Sequence, residues 1–182
     1  MGLRLTKVEI DNKEKKVVRK CESMGNGLLL VRLDIEPRTQ SSFHWLLENK
    51  RKPPFDIAIN PQNGLISYLK FFLQDEKVKE QGCTMQCGKY QVEGLPLFDL
   101  QEFNEKNYQI FEEGQLDAFY DGRNLCITTP DFVGYRCLNL DEKNAILFDE
   151  KSFFVGVILK NLSEEEIGEL MQANVFGTEL DG

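Results

Sequence analysis

Polar and apolar residues alternate along most of this chain, and the alternation predicts β-strands. Leu3–Ile10 alternates first, and Lys16–Cys21 follows the polar turn Asp11-Asn12-Lys13. The turn Gly25-Asn26-Gly27 then leads into Leu28–Ile35, an apolar run with β-branched members that suits a central strand. Three strands joined by short polar turns read as a meander. Asp56–Asn60 and Leu65–Leu73 read as the arms of a hairpin, with Pro61, Asn63 and Gly64 supplying the turn chemistry. Further strands are expected at Tyr108–Phe111, Leu116–Tyr120, Leu125–Thr129, Gly134–Asn139, Ala145–Phe148 and Phe153–Leu159, with a tight turn at Asp121-Gly122. The stretch 74–107, broken by Gly82, Gly88, Gly94 and Pro96, gives no clear period.

Two segments depart from alternation. Ser41 or Ser42 followed by Phe43, Trp45, Leu46 and Leu47 predicts a short central helix that Pro53-Pro54 brings to an end. Ser163-Glu164-Glu165-Glu166 is a capping box, with Leu162 and Ile167 as its hydrophobic staple, and predicts a helix from about Glu164 to Ala173. The expected fold is therefore α+β: mainly antiparallel meander and hairpins, with a short central helix and a C-terminal helix. Residues 1–182 are read as a single domain, with a weak division into two halves near 50–55. Ile57, Asn60, Leu65, Ile66, Leu69 and Leu73 align with Ile146, Asp149, Phe154, Val155, Ile158 and Leu162 at a constant offset of 89, which suggests a duplicated hairpin.

Composition narrows the function classes. The chain has 182 residues, 41% of them hydrophobic, enough for a core that needs neither disulfides nor metal. The net charge is −8, which opposes a phosphate-binding role and so a nucleic-acid partner. That charge is unevenly spread. Residues 1–52 hold 12 Lys+Arg against 7 Asp+Glu, and residues 53–182 hold 10 against 23. An asymmetry of this kind marks either an interaction surface or two regions that neutralise each other. No signal-type or membrane-length apolar run occurs, and five cysteines suit a reducing compartment, so the expected location is cytoplasmic and off the membrane. Met1-Gly2 and the residues after it fit an N-myristoylation template, but a strand at residues 3 to 10 would tie that end into a sheet.

The search for chemistry is mostly negative. His44 is the one histidine, so no multi-histidine metal site is available, and it sits between Phe43 and Trp45 without a nucleophile motif around it. Cys83 and Cys87 have a spacing unlike the usual zinc or redox knuckle, while Cys126 and Cys137 fall in predicted strands. Neither a metal nor a cofactor is expected. Gly25-Asn26-Gly27 enters a strand and lacks the third glycine of a dinucleotide loop. Acidic residues are numerous. Asp141-Glu142 and Asp149-Glu150 fall at turns, and Glu164–Glu166 belong to the helix start. Glu112, Glu113, Asp117 and Asp121 remain, in a hairpin region without compensating bases, and Trp45 and Tyr120 are the candidate aromatic anchors. These six residues form the expected binding set.

In size, acidity, strand-rich pattern and lack of catalytic motif, the chain resembles bacterial immunity-type proteins that neutralise toxins. The resemblance rests on general character over the whole chain, so it assigns no residue a role. The expected function is a non-enzymatic acidic module that binds a basic protein partner. The alternative is a small carboxylate-dependent hydrolase.

Overall fold

The computed structural model describes residues 2–10, 14–25, 27–76, 90–130 and 136–176. The predicted turn Asp11-Asn12-Lys13, Asn26, Gly134 and the stretch from Gly82 to Gly88 with its two cysteines lie outside the described residues. The strands run in the order β1 (Leu5–Glu9), β2 (Lys16–Ser23), β3 (Leu29–Glu36), β4 (Phe43–Glu48), β5 (Phe55–Ile59), β6 (Ile66–Leu73) and β7 (Tyr90–Glu93). They continue with β8 (Leu95–Phe98), β9 (Gln109–Glu113), β10 (Asp117–Tyr120), β11 (Leu125–Thr128), β12 (Arg136–Asn139), β13 (Asn144–Phe148) and β14 (Phe154–Leu159), and one helix, α1 (Glu164–Ala173), follows.

Two six-stranded sheets carry the architecture. Sheet I has the order β2-β3-β6-β5-β4-β9, and sheet II has β10-β11-β14-β13-β12-β7. The first five strands of the two orders share one topology, while the sixth differs in chain order, β9 following its five and β7 preceding them. In each, a hairpin is followed by a strand at the far side that returns through a meander, and a parallel strand is added beyond it: β9 on β4 and β7 on β12. The duplicated hairpin suggested by the offset of 89 is the centre of this repeat, since β5 and β13 lie at that offset. A register shift falls at the same step in both, between Ala58 and Ile59 and between Leu147 and Phe148. Beyond it Ile59 faces Ile66 while Phe148 faces Phe154, so the second arm runs at an offset of one residue fewer. The short pair β1–β8 bridges the sheets through Arg4–Phe153 and Leu65–Leu97.

The core lies between the sheets. Leu33, Leu69, Ile57 and Trp45 form one row across sheet I, and Ile127, Val157, Ile146 and Leu138 form the matching row across sheet II. All eight are buried and belong to one apolar cluster. Aromatic contacts cross the gap: the Trp45 ring meets Phe154 edge-on at 5.5 Å, Phe154 touches Phe55 at 5.3 Å, and Phe55 stacks on Phe71 at 5.3 Å.

The α+β expectation is corrected: the described chain is mostly β, in three sheets, with α1 as its helix. The expected central helix is strand β4. Phe43, Trp45 and Leu47 take the inner face there, and His44, Leu46 and Glu48 the outer one, because the run has only six residues and satisfies a period of two once β5 and β9 pair with it. Residues 49–54 connect β4 to β5, so the weak division near 50–55 falls inside one sheet. Helix α1 forms with Ser163 as N-cap and the full capping box, and it ends on Asn174 in the left-handed conformation.

Helix α1 also closes one edge of the sandwich. Arg19 projects from β2 into the inner row beside Leu33, where an apolar residue would be ordinary. Its guanidinium forms a fork on Glu166, with Nε to Oε2 at 2.6 Å and Nη2 to Oε1 at 2.8 Å. Nη1 donates to the Asn144 side chain and to the carbonyls of Lys143 and Lys160, so one side chain ties β2, α1 and sheet II together. Glu166 accepts from Ser163 N–H as well. Burial raises the Glu166 pKa, but bonds from Arg19 and Ser163 outweigh it and hold the carboxyl below its ordinary value. The neighbouring Cys21 thiol is pushed up to about 12 by burial first and the Glu166 charge second, which leaves it unreactive near neutrality.

Candidate functional site

The outer face of sheet I is where charged side chains interrupt otherwise apolar strands. Pairing register places them together. Lys20, Arg32, Lys70, Asp56, Leu46 and Phe111 form one row across the sheet. Val18, Asp34, Tyr68, Ala58, His44 and Gln109 form the next. Beyond Leu46 and Phe111, Glu48 stands directly opposite Glu113 on β9.

Two carboxylates in this face, Asp34 and Asp56, are only 4% exposed. Buried charges require partners. Arg32 Nε donates to both oxygens of Asp34, at 2.8 and 2.9 Å. Asp56 is 3.0 Å from His44 Nδ1, 3.3 Å from the Tyr68 hydroxyl, which donates to it, and 3.8 Å from Lys70 Nζ. Tyr68 lies between the cations, with the Arg32 guanidinium 4.2 Å from its ring centre and Lys70 at 5.9 Å. Burial, then the Asp56 charge, raises the Tyr68 phenol pKa, so it stays a donor at neutral pH. The long side chains therefore cover the two carboxylates and bring half-buried Tyr68, Arg32 and His44 together on this face. Such residues concentrate binding energy at interfaces when desolvated.

An Asp that orients a His is also part of nucleophile-activating catalytic sets. Among the described residues no Ser, Thr or Cys hydrogen-bonds His44. Neither of two hollows among the described residues is lined by His44 or Asp56. A groove of about 490 Å³ is lined by Gly2, Trp45, Glu112, Gln115, Thr129 and Phe154, on the opposite side of β4. A second hollow, among Lys52, Phe55, Phe71, Leu116 and Ile127, has about 20 Å³ of free space, room for one water.

The six residues expected from the sequence fall in three places. Trp45 is a core residue, 3% exposed, whose indole N–H donates to Glu112 Oε2 at 2.8 Å. Glu113 is on the outer face and pairs with Lys50 at 3.5 Å, both largely in solvent, so that pair contributes little. Asp117 and Tyr120 are on β10 of the other sheet, where Tyr120 stacks on Phe176 at 5.2 Å. Asp121 caps its own turn. Burial raises its pKa, but the N–H groups of Asn124 and Arg123 donate to it and hold it low. The structure thus brings Trp45, Glu112 and Glu113 together at the β4–β9 pair and puts the other three elsewhere.

Cations of the first 52 residues meet acids of the remainder at Arg19–Glu166, Lys50–Glu113 and Lys52–Glu76, so part of the charge asymmetry is neutralised within the fold. Cys126 and Cys137 sit buried with Ala145, Leu147 and Ile158 on the outer face of sheet II. No group of three or more metal-ligating side chains occurs among the described residues, and none of their helices is long and apolar enough to cross a membrane. The polar network of Arg32, Asp34, Asp56, Tyr68 and Lys70 was missed in the sequence, although its signal was there: a charge at every second position of Val31–Ile35, and single charges inside apolar β5 and β6. No family model matches the chain, and no curated protein matches it.

Proposed function

We propose that this chain is a non-enzymatic binding module and that a basic protein partner docks on the outer face of sheet I, at its β4–β9 margin. One observation carries the reading. Glu48 and Glu113 stand directly opposite each other on adjacent strands, and the exposed Lys50, 3.5 Å from Glu113, offsets their repulsion only weakly, so a cation bound between the two carboxylates relieves it further. Phe111, 58% exposed, lies beside them and supplies the apolar contact. The Tyr68 surface adjoins this margin through the row of Lys70, Asp56 and Leu46. A toxin-covering, immunity-type role is the form of this reading that the resemblance favours. The His44–Asp56 contact is the observation in favour of a hydrolase, and the paired glutamates of the β4–β9 margin are what support binding ahead of it.

The test is the affinity of the peptide acetyl-(Val-Lys)4-amide at low salt. The double variant Glu48→Lys, Glu113→Lys is expected to bind about tenfold or more weakly. The control Glu142→Lys, Glu150→Lys changes net charge equally at exposed turns of sheet II, and it is expected to lose less than about threefold. Equal losses in both would mean that only overall charge matters, which contradicts a docking margin.

A further inference from the structure

Resting on that reading, the geometry points to the way the partner is held: a basic extended segment adds to sheet I as a further strand, hydrogen-bonded to the free edge of β9. Strand β9 ends its sheet. The His44 amide donates to the Tyr108 carbonyl, and the Gly114 amide donates to the Glu48 carbonyl. In a parallel ladder this fixes the alternation, so the amide and carbonyl of Gln109, Phe111 and Glu113 point away from β4 into solvent. Unpaired edges of this kind template another strand unless the sequence protects them with lysine, proline or a bulge.

The sequence of β9, Gln109-Ile110-Phe111-Glu112-Glu113, has no lysine or proline, its pairing with β4 is unbroken, and its inward glutamate, Glu112, is held by Trp45, which leaves the anionic Glu113 to guard the edge against all but a basic strand. The other edges differ. Strand β2 carries Lys16, Arg19 and Lys20 and lies beside α1, whereas β7 and β10 are only four residues long, and Asp117 and Phe119 of β10 are already engaged. Apolar and charged side chains are both exposed here: Tyr108, just before β9, is 50% and Phe111 58% exposed, and the Glu113 side chain 84%.

The side chains choose the occupant. A strand added to β9 would place alternate residues on the outer face against Gln109, Phe111 and Glu113, with Glu48 one strand further in. Lysine or arginine fits there, pairing with the glutamates and lying over the Phe111 ring. The intervening residues would face half-buried Ile110 and favour a small apolar side chain. The partner segment is therefore an alternating basic–apolar strand, and main-chain bonds would supply affinity while these positions supply specificity.

Phe111→Pro tests the mode directly. The residue's N–H points outward, so proline removes a donor that β4 does not use, and edge strands tolerate such a proline. With acetyl-(Val-Lys)4-amide as probe, Phe111→Pro is expected to bind about tenfold or more weakly than Phe111→Leu, which loses the same ring but keeps the outward N–H. Independently of any variant, the peptide is expected to slow hydrogen exchange at the amides of Gln109, Phe111 and Glu113 in the wild-type protein; unchanged exchange at these three would overturn strand addition even if Phe111→Pro failed to fold. Full binding by Phe111→Pro alongside loss in the Glu48→Lys, Glu113→Lys protein would overturn strand addition and leave the acidic margin standing. Full binding by all variants would overturn both. A dimer of the free protein that Phe111→Pro abolishes would assign the edge to a second copy and overturn the basic occupant.

Discussion

Replacing Arg19 by alanine is expected to lower unfolding stability by about 3–5 kcal/mol, as removal of one partner from a buried ion pair does. The side chain is 6% exposed, and that of Glu166 is 18% exposed. Alanine would leave Glu166 without its fork, and would strip donors from the Lys143 and Lys160 carbonyls and the Asn144 side chain. In a chain of this size the loss corresponds to a drop of roughly 6–20 °C in Tm. The emission of Trp45, the one tryptophan, reports the transition. Glu166→Gln probes the same pair through pH. The Glu166 carboxyl is held below its ordinary 4.5 in the folded state, so its contribution is present above that pH and lost as pH falls through the lowered value. The stability gap between wild type and Glu166→Gln is therefore expected to be widest above pH 4.5 and to close in more acidic solution. A gap constant with pH, or an Arg19→Ala protein as stable as wild type, would contradict this role.

Trp45→Ala is expected to cost a similar amount, about 3–5 kcal/mol, through the cavity it leaves. Trp45 fills the inner row of sheet I and carries its aromatic contact to Phe154 of sheet II. Its loss also removes the indole donor from Glu112. Trp45→Phe keeps most of the ring and is expected to cost clearly less. Circular dichroism melts measure both variants, since the fluorophore is gone. A surface anchor in place of a core residue would show near-wild-type melting for Trp45→Ala together with weakened peptide binding.

What could be read from the sequence was what local interactions decide. The α1 start was legible because Ser163 and Glu166 cap one another within a single turn, and most strands were legible because one buried face imposes a period of two. The β4 run was misread because six residues containing Phe43, Trp45, Leu46 and Leu47 satisfy a helical face as well as a strand, and only pairing with β5 and β9 decides between them. The candidate site depends on register. Arg32, Asp56, Tyr68 and Lys70 are distant in sequence and meet because β3, β6 and β5 are adjacent. The opposite error comes from sequence proximity. Glu112, Glu113, Asp117 and Asp121 look like one acidic group, but the chain leaves sheet I after β9 and enters sheet II at β10, so the group is divided.

The most direct measurement is an amide chemical-shift map of the full chain titrated with acetyl-(Val-Lys)4-amide at low salt and again at about 0.5 M salt, where exposed charges are screened within several ångströms. The account expects saturable shifts concentrated at His44–Glu48 and Gln109–Glu113 that weaken at the higher salt. Shifts centred on the Glu142 and Glu150 turns or on Glu164–Glu166, or scattered over the whole acidic surface, would contradict it.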